Sequence, residues 1–167
     1  MGPCDLYIVR HAIAAERGDE WPDDDKRPLT EAGIARFREE LEGLAWLKVQ
    51  IDEVFSSPLT RAHQTATLLA DGLAEKAAVK TLETLAPGHP PRAVMGELSR
   101  AAKHRRIALV GHEPGLGELA AHLLGSPRAL PFKKGGVCYL TVQGLTSRRP
   151  GELGWFLPPK VLRRLGG

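Results

Sequence analysis

The chain has 167 residues, 43% of them hydrophobic and 26% charged, with a formal net charge of +3, which suits one soluble domain with a sizeable core. No apolar run reaches the roughly 18 residues of a membrane span and no basic-then-apolar leader stands out, so a cytoplasmic protein without membrane contact is expected. Two isolated cysteines, Cys4 and Cys138, lack the spacing of a zinc site or a disulfide framework. With 5% aromatics and only scattered basic clusters (residues 103–106, Arg148 with Arg149, Arg163 with Arg164), a nucleic-acid partner is not expected.

Taken in chain order, Leu6, Tyr7, Ile8 and Val9 read as a buried strand that ends abruptly in Arg10 and His11. A polar loop, GDEWPDDDKRP, follows. Thr30 offers a helix N-cap, and Ile34, Phe37, Leu41 and Leu44 recur at spacings of three and four, one face of an amphipathic helix. Residues 51–56 form a second strand pattern. Ser57 and Pro58 then read as N-cap and first helical position of the helix carrying LTRAHQTATLLADGL. Residues 78–85 are a third strand candidate, 91–103 a helix, and 106–111 a fourth, buried strand. EPGLGELAAHLLG is again helical, GGVCYLTV and GELGWFL suggest a terminal hairpin, and KVLRRL reads as a short basic tail. Strands alternating with helices predict one α/β domain over 1–167, with a mostly parallel central sheet covered on both faces.

Arg10 and His11 end the first strand, Arg61 lies one turn into the helix after the second, and His112 follows the fourth. Ligands of open parallel sheets bind beyond the carboxyl ends of the strands, so these four can converge. Two arginines and two histidines around one point describe an anion site, because the planar guanidinium fork suits phosphate oxygens. A helix opened by Ser57 and Pro58 would add the positive potential of its free N–H groups. A neutral imidazole among such cations can act as a nucleophile, and the neighbouring charges should lower its pKa. His63, His89, His104 and His122 lack this placement and read as ordinary surface or core residues.

The blocks IVRHA, SSPLTRAHQTA and ALVGHEPGLG, in this order, resemble the signatures of the histidine phosphatase superfamily, with its phosphoglycerate mutase-like three-layer α/β/α fold. RPLTEAG, ETLAPG and KKGGVCYL extend the resemblance over most of the chain, and the short phosphohistidine phosphatases of the SixA type are the nearest subfamily. Ala12 stands where the family usually has glycine. The resemblance implies that His11 attacks phosphorus and forms a phosphohistidine intermediate while Arg10, Arg61 and His112 clamp the phosphoryl oxygens. It requires no metal or other cofactor, and the run Asp23, Asp24, Asp25 is expected to be solvated. Family phosphomonoesterases add a carboxylic acid for the leaving group; Glu83 is the first candidate here and Glu113 the second. A phosphohistidine substrate depends less on such an acid, since an imidazole of reference pKa near 6.5 can carry its own proton.

Between Arg61 and His112 only one strand, a loop and one helix fit, leaving no inserted lid. An open site favours a phosphorylated side chain of a partner protein. A small-molecule phosphomonoesterase or polyphosphate hydrolase is the alternative, and an idle phosphate-binding module a third reading. The oligomeric state is not fixed by the sequence; a monomer is the simpler expectation.

Overall fold

The structure, a computed structural model, describes residues 2–75 and 77–167. Six strands form one sheet in the order β3-β2-β4-β1-β5-β6: β1 (Cys4–Arg10), β2 (Glu53–Ser56), β3 (Val79–Thr81), β4 (Arg106–Gly111), β5 (Val137–Val142) and β6 (Glu152–Leu157). β1, β2, β3 and β4 pair in parallel, and β5 is antiparallel to both β1 and β6. The mostly parallel sheet is therefore as expected, with β5 running against the rest.

Alternation along the strands builds the three layers. Leu6 and Ile8 of β1, with Ile107 and Leu109 of β4, face a core closed by α3 (Pro91–Ala101) and α4 (Gly115–Leu124) through Leu98, Leu116 and Leu119. Tyr7, Val9, Ala108 and Val110 face the opposite core. There α1 (Glu31–Trp46) contributes Phe37 and Leu44, α2 (Thr60–Leu73) contributes Ala66 and Leu69, and α5 (Pro159–Gly166) contributes Leu162. Thr30 caps α1 as its side chain predicts, accepting the Gly33 N–H at 2.9 Å. Among the described residues no helix is long and apolar enough to cross a membrane.

Four expectations need correction. The third strand is only three residues long. Leu82 is drawn inward, its N–H on the Ser56 carbonyl at 2.9 Å, and a single 3-10 turn (Glu83–Leu85) follows, tied by its N–H groups to the Glu97 carboxylate of α3. α2 begins at Thr60 rather than at Pro58, because the Ser57 side chain accepts the Leu59 N–H at 3.1 Å and makes a turn before the helix. α3 stops at Ala101, short of Lys103, since the Lys103 and His104 N–H groups bond the buried Glu53 carboxylate, each at 2.8 Å. The basic tail is the helix α5: Pro159 supplies a preset first turn and Leu162 packs fully buried against α1, leaving Arg164 exposed.

Candidate active site

Parallel pairing places the ends of β1 and β4 side by side, with Arg10 opposite Gly111. His11 and His112 leave these ends together; the His11 N–H bonds the Gly111 carbonyl at 3.0 Å, and the two imidazole centroids lie 5.2 Å apart. β2 pairs with β4 on its other side, so Ser57 and then Arg61, in the first turn of α2, arrive at the same edge. The charges of Arg10 and Arg61 act on both imidazoles. The four residues that the sequence singles out thus converge, and His11, Arg61 and His112 are buried.

Each side chain is oriented by the protein. His11 Nδ1 lies 2.7 Å from the Ala12 carbonyl oxygen. A carbonyl only accepts, so Nδ1 carries the proton and Nε2 keeps its lone pair. Ala12 in turn donates its N–H to Thr65 Oγ1 of α2 at 3.1 Å, and its backbone lies outside the left-handed region, so its methyl group brings no strain where glycine is usual. His112 Nε2 lies 2.8 Å from Ser57 Oγ. Among the described residues Arg10 Nε, Arg61 Nε and His112 Nδ1 are buried nitrogens without a hydrogen-bond partner in the protein. Buried polar groups are nearly always satisfied, so three such nitrogens at one sheet edge mark a site for an acceptor-rich ligand. Ser57 donating to Nε2 would leave His112 with an Nδ1 proton for such a ligand.

Burial lowers the His11 pKa to about 4, with Arg61, Arg10 and Lys134 adding to the effect and the Ala12 hydrogen bond opposing it. Burial, then His11, Arg61 and Arg10, lower His112 to about 3. The direction matches the expectation from neighbouring charge; loss of water is the larger cause. Both rings are neutral at pH 7, which His11 needs to present a lone pair.

Three contributions have no clear sequence signal. The first is Asp24, which the acidic run suggested would be solvated. It bonds Arg61 through its carbonyl at 2.8 Å and its carboxylate at 3.2 Å, and it also pairs with Arg27 at 3.0 Å and Arg17 at 3.4 Å. Against some cost of burial, these guanidiniums hold its carboxyl below the ordinary value. The second is the Ser57 hydroxyl, hidden in the sequence by its reading as a helix cap. The third is the backbone of residues 132–135: the Phe132 carbonyl accepts Arg10 Nη1 at 2.7 Å, and the Gly135 N–H bonds the carbonyls of Arg10 and His11, both at 3.1 Å. Gly135 has φ +85°, a left-handed conformation that calls for glycine, and a Cβ there would also press on the buried Glu40 carboxyl.

The acid candidates fare differently. Beside His112 opens a cleft of about 340 Å³ between the turn at 84–90 and the start of α4, its apolar walls including Leu85, Pro87, Pro90, Val94, Leu116 and Leu119. Glu83 is exposed in the 3-10 turn rather than at a strand end, and it does not line this cleft. Glu113 does, but both its oxygens accept backbone N–H groups, those of Gly117 at 2.7 Å and Phe132 at 3.2 Å. Glu118 and His89, exposed, complete its ionisable lining with His112.

Known proteins share this arrangement of sequence and fold. The profile of the Histidine phosphatase superfamily (branch 1) matches residues 6–86. An uncharacterized protein of Picosynechococcus is 37% identical over 138 residues, 80% of this chain and 82% of that protein. Phosphohistidine phosphatase SixA of Escherichia coli is 27% identical over 160 residues, 95% of this chain and 96% of SixA. The solved structure of the protein histidine phosphatase SixA complexed with tungstate superposes with a TM-score of 0.81 at 26% identity, covering 95% of this chain and 99% of that one. In sequence and in its phosphoglycerate mutase-like fold, the chain belongs to the histidine phosphatase superfamily and is similar to its SixA members.

Proposed function

We propose that the protein is a metal-independent phosphatase that removes the phosphoryl group from phosphohistidine on a partner protein. The observation that carries the chemistry is His11 itself: neutral, held through Nδ1 by the Ala12 carbonyl, with its Nε2 lone pair free. Nε2 forms a bond to phosphorus while the bond from phosphorus to the substrate imidazole breaks. Arg10, Arg61 and His112 donate to the phosphoryl oxygens as charge shifts across them, work that two guanidinium groups and a neutral imidazole N–H perform without a metal. The substrate imidazole leaves neutral when its second nitrogen is protonated. Water then attacks phosphorus, the bond to His11 Nε2 breaks, the proton of the water passes to the phosphate, and inorganic phosphate departs.

The cleft beside His112 supports the choice of leaving group. Its walls are largely apolar and suit a flat ring, and its innermost carboxylate, Glu113, is already committed to two N–H groups. A poor alkoxide leaving group would need an acid; Glu118 at the cleft is the group that keeps a small-molecule phosphomonoesterase open as the second reading.

Turnover measured in parallel on a phosphohistidine protein and on an alkyl phosphate separates the two. The expected result is a higher kcat/KM on the phosphohistidine protein, unaffected by a chelator and changed less than about twofold by Glu118→Gln or Glu83→Gln. A preference for the alkyl phosphate, lost in Glu118→Gln, would establish the second reading instead.

A further inference from the structure

Glu113 follows the phosphate-binding His112 directly, yet the chemistry above gives its carboxylate no part. Its hydrogen bonds form a short path to the site. One oxygen accepts the Gly117 N–H in the first turn of α4, and the other accepts the Phe132 N–H. The carbonyl of the same residue, Phe132, accepts Arg10 Nη1 at 2.7 Å. This hydrogen bond holds the Arg10 guanidinium at one end, while among the described residues its buried Nε has no hydrogen-bond partner in the protein. A planar guanidinium held at one Nη is aimed by the position of that acceptor, so whatever fixes Phe132 fixes Arg10.

The segment around Phe132 has no helix or strand of its own to hold it. It is fastened at its start by the Leu130 N–H on the Gly117 carbonyl at 3.2 Å, and by the Phe132 ring packed on Phe156 at 4.8 Å between centroids. Gly117 allows this approach, since a Cβ there would collide with the Leu130 carbonyl and crowd the Glu113 carboxylate. Glu113 is thus the side chain that joins α4, the segment 130–132 and the end of β1. Its negative charge also acts on Arg10, partly offsetting the lowering of the guanidinium pKa by burial.

We propose that Glu113 is a positioning residue: by holding Phe132 it sets the orientation in which Arg10 grips the transferred phosphoryl group. The inference builds on the phosphatase reading but concerns a residue that does not touch the substrate. It differs from a purely structural cap on α4, which would affect stability without any coupling to Arg10.

A double-mutant cycle on the full chain decides between them, with Glu113→Gln, Arg10→Ala and the combined variant. Turnover of p-nitrophenyl phosphate and calorimetric affinity for inorganic tungstate are both read. Glu113→Gln is expected to lower kcat/KM and tungstate affinity roughly tenfold in the wild-type background and by less than about twofold in the Arg10→Ala background. Equal losses in both backgrounds, or no loss in either, would overturn the proposal. If Glu113→Gln does not fold, Glu113→Asp, which keeps the charge but shortens the reach to Phe132, enters the same cycle with the same expectation. An absence of wild-type turnover would count against the phosphatase reading alone, because the tungstate arm still measures the coupling of Glu113 to Arg10.

Discussion

His11 and His112 are histidines whose surroundings hold them neutral far below the usual range. The cause is mainly lost hydration, reinforced by two arginines that a bound anion would otherwise neutralise. An NMR titration of the imidazole nitrogens in the free protein should show His11 half-protonated at about pH 4 and His112 at about pH 3, with His11 as the Nδ1–H tautomer above that. Titration of both near the reference value of about 6.5 would contradict the buried, cation-flanked geometry. The consequence for stability has a definite sign. As pH falls through about 6.5 the unfolded chain takes up protons at both sites while the folded chain does not, so stability declines until the folded values are reached. At this scale the residue types were legible: an Arg-His pair ending a buried strand has no packing reason. The orienting partners, Asp24 and the Phe132 carbonyl, were not, because they depend on the paths of loops 15–27 and 130–135, which no periodicity encodes.

Among the elements, α1 and α5 show what pattern reading captures and what it misses. The apolar positions of α1 and its Thr30 cap follow directly from spacing. Its inward-facing Glu40 breaks that pattern and is almost wholly buried against Gly135. Burial raises the Glu40 pKa to about 9, with Arg163 of α5 opposing it, so the folded protein holds the carboxyl protonated. The unfolded chain ionises it above about 4.5, and this site therefore costs increasing stability as pH rises from there towards about 9. Glu40→Gln keeps the shape and removes the titration. Its melting temperature should exceed that of the wild type by several degrees at about pH 8 and match it near pH 4. A gain of equal size at both values would show that the carboxyl is not held neutral. α5 escaped the sequence reading because one buried leucine in eight residues gives little periodic signal; only its partner, α1, makes a helix of it.

Across the whole molecule, the alternation of strand and helix was enough to predict the layers, and the order of the sheet explains why the site forms where it does. β1, β4 and β2 are adjacent, and each ends at the same edge in a residue or turn of the candidate site: Arg10-His11, His112, and Ser57 before Arg61. Strand order is not written in local patterns, which is why convergence could be argued from the sequence only through a general rule for open sheets and through family resemblance. The SixA likeness extends over nearly the full length of both chains, so the site is compared within a whole shared fold rather than through isolated motifs. The central measurement is rapid acid-free quenching of the enzyme during turnover of a phosphohistidine protein, followed by mass spectrometry of the peptide containing His11. One phosphoryl group on His11, absent together with all turnover in His11→Ala, is the expected result; turnover that persists in His11→Ala would contradict the role given to this residue.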